Sequence, residues 1–182
     1  MKPIEFYNTP TGEVIIKSAD ESERTLSEKD TCFIQKFIEI LREFYPDALN
    51  ALNEIYGNSI NRRYSNFLMI RRFIKCNLGL YDNRIDLDSN WNFKFEFVGC
   101  PLRGECKYDH ILCQPKFNSK LSDRQAEVMK LLYEGNTDDQ VADELFISLN
   151  TVNNHRKNSF KKLKIHSMPE FMRYATRNNM FN

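Results

Sequence analysis

The sequence predicts an α+β N-terminal region, made of β-hairpins and a helical group, followed by an all-α domain of four short helices. Three observations predict it. Two pairs of β-rich runs flank polar turns within residues 1–99. Apolar residues recur at helical spacing between those pairs, and capping signals return at short intervals after Asn118. The expected organisation is an α+β sensory or assembly domain over 1–99, a Cys-containing connector over 100–117 and the helical domain over 118–182. A chain of 182 residues is long enough to bury a core without disulfide or metal staples.

In order, "IEFYNTPTGEVIIK" places two β-rich runs around a Pro/Gly turn, which reads as a hairpin. "SADESERTLSEKD" is polar and reads as a loop. From Leu26 to Tyr45 the residues Ile34, Phe37, Ile38, Leu41 and Phe44 recur at helical spacing, and Pro46 ends that helix. Ala48, Leu49, Leu52, Ile55 and Tyr56 mark a second helix stopped by Gly57. A third is expected from about Asn61 to Cys76, burying Phe67, Leu68 and Ile74. "RIDLD" and "FKFEFVG" flank the turn "SNWN" and read as a second hairpin. Nothing here has the alternating strands and helices, with acidic strand ends, of a phospho-accepting receiver.

After Lys120 the chain spells four short helices. Ser122-x-x-Gln125, Thr137-x-x-Gln140 and Ser167-x-x-Glu170 each fit a capping box, in which the hydroxyl takes one orphan N–H and the third residue's side chain returns a bond. Ser148 supplies a further N-cap, and Gly135 stands where a left-handed cap would end the first of these helices. Helices this short are unstable singly and must share one core.

The net charge is only +1, but its distribution is uneven. Of eight anions after Asn118, seven precede Asn150; of ten cations, seven follow it. At about 100° per residue, Val152 and Leu163 project from one side of the third C-terminal helix, with Ser159 between them. Asn150, Asn154, Lys157, Asn158 and Lys161 lie opposite, flanked by Asn153 and Lys164. Amides and cations on such a ridge suit base edges and phosphates of duplex DNA; a merely solvated face is the plainer alternative.

The stretches "LSDRQAEVMKLLYEG", "DDQVADELFIS", "TVNNHRKNSFKKL" and "SMPEFMRYA", from Leu121 to Ala175, resemble the LuxR/GerE-type helix-turn-helix of bacterial transcription regulators. The resemblance covers the last third of the chain without a gap. It implies that the third C-terminal helix enters the major groove and that the fourth helps to pair two copies. It also implies base contacts from Asn153, Asn154 and Lys157. Phosphate contacts, or the packing that aims them, fall to Thr151, Val152, Arg156 and Lys161, and Asn150 on the ridge is a further expected DNA-binding residue. The sequence departs from the family where a frequent Lys after "TV" is Asn153, where a Pro-Lys pair is Leu149-Asn150, and where acidic residues are Gln125 and Gln140. Sequence-specific binding of double-stranded DNA by a homodimer is the implied function, with RNA polymerase as a further partner.

"CPLRGECKYDHILC" places Cys100, Cys106, His110 and Cys113 within fourteen residues. Cys3His suits tetrahedral zinc in type, though no tight Cys-x-x-Cys pair is present. Cys76 is an alternative fourth ligand, and such a set would also suit an iron–sulfur cluster. Packing thiols or a redox-sensing thiol are the other readings. No cofactor is required by the leading function; a structural zinc is the leading candidate. Arg62, Arg63, Arg71, Arg72 and Lys75 form a second basic group, fit for DNA backbone, an acidic partner or solvent.

"MKPIEFYNTP" has no basic flank and apolar run of a secretory signal, and no apolar stretch approaches a membrane span. A cytoplasmic protein with no membrane partner and reduced cysteines is expected. The three histidines have no nucleophile partner and no Gly-rich phosphate loop occurs, so an enzyme is not expected. A sigma-like transcription factor and a metal-dependent interaction module built on the N-terminal half remain as alternatives.

Overall fold

A computed structural model describes residues 2–18, 20, 22–178 and 180–181. The chain divides into two compact units, Met1–Phe117 and Asn118–Asn182.

The first unit opens with β1 (Ile4–Asn8), β2 (Val14–Ser18) and β3 (Glu23–Thr25), an antiparallel sheet in the order β1-β2-β3. Alternation sets the register: Phe6 pairs with Ile16 and Asn8 with Val14, so Ile4, Phe6, Val14 and Ile16 turn to one buried face. The connecting turn needs Gly12, whose φ is +84°. β3 departs from the expected loop. Its Glu-Arg-Thr residues are all exposed at the sheet edge, so this strand carries none of the apolar alternation that marks a strand in sequence.

Three helices follow: α1 (Thr31–Phe44), α2 (Pro46–Tyr56) and α3 (Arg62–Asn77). Pro46 both ends α1 and starts α2, because its missing N–H is no loss in a first helical turn. The face of α3 differs from the expected one. Ile74 is buried as expected, but Phe67 and Leu68 are only half-buried, and Met69, Ile70 and Phe73 are buried in their stead. Phe37, Tyr45, Phe73 and Phe93 form the aromatic centre of this core, with ring centroids of Phe37 and Phe93 4.8 Å apart.

The expected second hairpin reduces to isolated bridges of Leu87 with Ile4 and with Phe93. A side chain occupies the place of further ladder bonds: the buried Asp86 carboxylate accepts the Phe6 N–H at 2.6 Å. Burial holds the Asp86 carboxyl well above the usual carboxylate range, with Glu96, Asp82 and Glu5 adding to the effect.

Residues 100–117, expected as a connector, lie within the first unit. Leu112, Cys113 and Phe117 are buried there. Asn77, wholly buried, donates from Nδ2 to the carbonyls of Phe73 (3.0 Å) and Leu112 (2.7 Å), while its Oδ1 accepts the Gln114 N–H (2.8 Å). One amide thus fastens the end of α3 to this segment.

The second unit contains α4 (Asp123–Tyr133), α5 (Asp138–Glu144), α6 (Leu149–Leu163) and α7 (Met168–Arg177). Val128, Met129, Val141, Val152 and Phe171 meet in one buried cluster. Each helix contributes too little apolar surface to be stable alone, so the shared core holds them. The Ser122/Gln125 and Thr137/Gln140 capping boxes are complete. The third is not: Ser167 accepts the Glu170 N–H, but the Glu170 carboxylate takes the His166 N–H at 2.8 Å. Among the described residues no helix is long and apolar enough to cross a membrane.

Candidate nucleic-acid interface

α6 is positioned from both ends. Ser148 caps its start by accepting the Thr151 N–H at 3.1 Å. The turn before it closes with a bond from Ile147 N to Ala142 O (3.0 Å) and from Phe146 N to Asp143 O, with Phe146 left-handed at φ +53°. Arg124 reaches from α4 to donate to Leu145 O at 2.7 Å, satisfying a carbonyl at the end of α5. At the far end Lys164 takes φ +56°, and Ile165 N bonds Phe160 O at 3.0 Å. α4 ends in the same way at Gly135, φ +96°. All three are Schellman endings, but only one uses glycine.

The buried side of α6 is Val152 and Ser159, each fully buried. The opposite side exposes Asn150, Asn154, Lys157, Asn158 and Lys161. No side-chain hydrogen bond ties these five to the rest of the unit among the described residues. Amide groups and ammonium groups therefore stand in solvent with their donors and acceptors uncommitted.

The remaining residues expected at the interface fall elsewhere. Val152 lies in the core, so its role is packing. Arg156 is held by Asp138 of α5, its Nη1 lying 2.6 and 2.7 Å from the two carboxylate oxygens. Its Nη2 donates to Asn153 Oδ1 at 2.6 Å, and Asn153 Nδ2 donates to Leu149 O at 3.1 Å. Asn153 is half-buried with both ends of its amide engaged. The Thr151 hydroxyl lies 2.8 Å from that of Ser148.

Four features were missed in the sequence. Asp138 as the partner of Arg156 lies 18 residues away, and nothing local marks the pair. Lys162 Nζ donates to the buried Gln125 Oε1 at 2.7 Å, binding α6 to the start of α4. Arg124 clamps α5. Phe146 is 95% exposed at the turn, and its place between two capped helices was the available signal.

Residues 119–175 match the family described as bacterial regulatory proteins of the luxR family. The C-terminal third of this chain is a LuxR-family helix-turn-helix domain. Its similar proteins include the "Uncharacterized response regulatory protein YgeK" of Escherichia coli, 37% identical over 33% of this chain and 41% of that protein. The "Transcriptional regulatory protein LiaR" of Bacillus subtilis is 34% identical over 36% of this chain and 31% of its own length. The "Oxygen regulatory protein NreC" of Staphylococcus carnosus is 32% identical over 34% of this chain and 29% of its own. The chain thus spans less than half the length of these curated relatives. No solved structure matches it. The LuxR-type domain coincides with the second unit, so the first stands outside the likeness.

The expected zinc set is not drawn together. His110 is exposed, with its Nε2 3.8 Å from Asp109 Oδ2, whereas Cys113 is buried. Among the described residues no three His, Cys, Asp or Glu side chains converge as a metal site. Burial raises the pKa of the Cys113 thiol and pushes that of Cys76 up to about 12. The second basic group is largely engaged in holding the fold. Arg71 and Lys75 donate to Gly12 O at 2.5 and 3.2 Å, Arg63 to Glu28 O at 2.8 Å and Arg62 to Gly57 O at 3.2 Å.

Proposed function

We propose that this protein is a sequence-specific DNA-binding transcription regulator, with α6 seated in the major groove and the first unit serving sensing or assembly. The observation that carries the reading is the uncommitted ridge of Asn150, Asn154, Lys157, Asn158 and Lys161, backed by buried Val152 and Ser159. The major groove admits an α-helix, and amides and ammonium groups complement purine edges there. Asn154 and Lys157 read bases; Lys161 meets phosphate. Arg156 acts by bracing Asn153 against α5. The names of the similar proteins, which include a transcriptional regulatory protein and a response regulatory protein, support the same reading. One such module buries little surface, so a homodimer on two half-sites about one helical turn apart is the assembly we favour. The protein is cytoplasmic in this reading, and RNA polymerase is a further partner.

Selection of bound fragments from random duplex DNA, followed by titration of the selected site over a range of salt, tests this. Lys157→Ala weakens the selected site by about 1–3 kcal/mol and relaxes its preference. Lys161→Ala weakens all duplexes alike and lowers the salt slope by about one. Equal affinity of wild type and both variants at every salt concentration refutes the proposal.

A further inference from the structure

α6 carries four asparagines among its fifteen residues: Asn150, Asn153, Asn154 and Asn158. Asparagine is a poor helix former, because its short amide competes for the backbone, and a merely solvated face is better built from Lys, Gln or Glu. Their surroundings divide the four. Asn153 is spent inside the unit: its Nδ2 donates to Leu149 O at 3.1 Å, and its Oδ1 accepts Arg156 Nη2 at 2.6 Å. Arg156 is in turn anchored on Asp138. Asn150, Asn154 and Asn158 are exposed, and among the described residues no side-chain hydrogen bond holds their amides. Asn153 therefore has a structural reason to be asparagine, and the other three have none within the chain.

Helical phase defines the free surface. Asn158 lies about 40° to one side of Asn154 and Lys157 about 60° to the other, all three exposed. The buried Val152 and Ser159 lie roughly opposite Asn154. Asn153 lies about 100° from Asn154, on the flank where Arg156 joins α6 to α5. The free face thus centres on Asn154, with Lys157 and Asn158 as its flanks in place of Asn153.

We propose that Asn158 takes the base contact that the family resemblance gives to Asn153, so that Asn154 and Asn158 read two adenines of the half-site and Lys157 reads a guanine. This assignment rests on α6 being the groove helix and adds what that helix recognises. An asparagine amide matches adenine in the major groove, its Nδ2 donating to N7 while its Oδ1 accepts from the N6 amino group. The Lys157 ammonium donates to O6 and N7 of guanine. Asn154 and Asn158 stand about 6 Å apart along the helix axis, and stacked base pairs about 3.4 Å apart, so the two adenines fall within two base pairs of each other. Asn150 lies in the first turn of α6, whose free N–H groups and positive dipole end suit a phosphate. Asn153 is a positioning residue that ties α6 to α5 through Arg156.

The test uses the full chain. Sites selected from random duplex DNA by the wild type are expected to carry two adenines within two base pairs of each other in each half-site. Each adenine is then replaced by 7-deazaadenine, which lacks the N7 acceptor and still pairs with thymine. Wild type loses about 5–150-fold in affinity at either replacement, an arm that needs no variant to fold. Asn158→Ala binds the unmodified site more weakly by a similar factor, ignores the replacement at one adenine and keeps its response at the other. Asn154→Ala shows the converse. Asn153→Ala weakens binding but keeps both responses, as a positioning role requires. Half-sites without such adenines overturn the assignment. So does an Asn158→Ala chain that responds fully to both replacements, or an Asn153→Ala chain that loses one response. A wild-type chain that selects no DNA overturns the regulator reading and this assignment together, whereas a selected site indifferent to Asn158→Ala overturns the assignment alone.

Discussion

Phe146 offers a clean measure of backbone strain in the turn that aims α6. It holds φ +53° while 95% exposed, so replacing it removes almost no packing. A left-handed backbone costs an L-residue about 1–2 kcal/mol. Glycine escapes that cost but gives up about 0.5–1 kcal/mol through its freer unfolded chain. Phe146→Gly should therefore stabilise the second unit by about 0.5–1 kcal/mol. In a unit spanning Asn118–Asn182, that is a rise in its melting temperature of roughly 2–8 °C. Gly135 supplies the matched opposite. It closes α4 by the same Schellman bonds at φ +96°, and a Cβ added there meets nothing within 4 Å. Gly135→Ala should cost about 1 kcal/mol, again with the surrounding packing unaltered. Calorimetry of both variants in the full chain reads the two shifts. A Phe146→Gly protein that melts lower than wild type would refute the reasoning, since so exposed a ring has almost no packing to forfeit.

Other outcomes follow from single groups. Ser159 is fully buried and its Oγ lacks a partner among the described residues, so Ser159→Ala should leave stability unchanged or raise it by up to about 1 kcal/mol; chemical denaturation measures this. Asp86 has a folded-state pKa raised above its unfolded value, so the folded state keeps a proton that the unfolded state has released. Stability of the first unit is then fully present below the ordinary carboxylate pKa and is lost as pH rises through the raised one. Asp86→Asn should flatten that decline in a series of melts across pH, and an unchanged slope would count against it. Arg156→Ala should lower the melting temperature of the second unit as well as DNA affinity, whereas Lys161→Ala should lower affinity alone.

The helices of the second unit were legible because their signals are local. A Ser or Thr three residues before Gln reports a capping box without knowledge of anything distant, and Ser122 and Thr137 form the boxes so expected. The edge strand β3 was not legible, since exposure on both faces removes the pattern that a buried face writes into sequence. The buried face of α3 was legible at Ile74 but not at Phe67 and Leu68, because Met69 beside them is also apolar and only the neighbouring α1 and α2 decide which turns inward. The ridge on α6 could be read from helical phase. The allegiance of Arg156 could not, because its carboxylate comes from another helix. The clamp at Asn77 was hidden for a similar reason: its bond to Gln114 spans 37 residues.

That clamp also governs how this polypeptide can be divided. A fragment cut after residue 99 would strip the Asn77 carboxamide of Leu112 and Gln114, leaving a donor and an acceptor stranded in the interior. It would also remove Leu112 and Phe117 from the apolar centre. A dissection that ends the first piece at 117 keeps both, so studies of either half in isolation should place the break there.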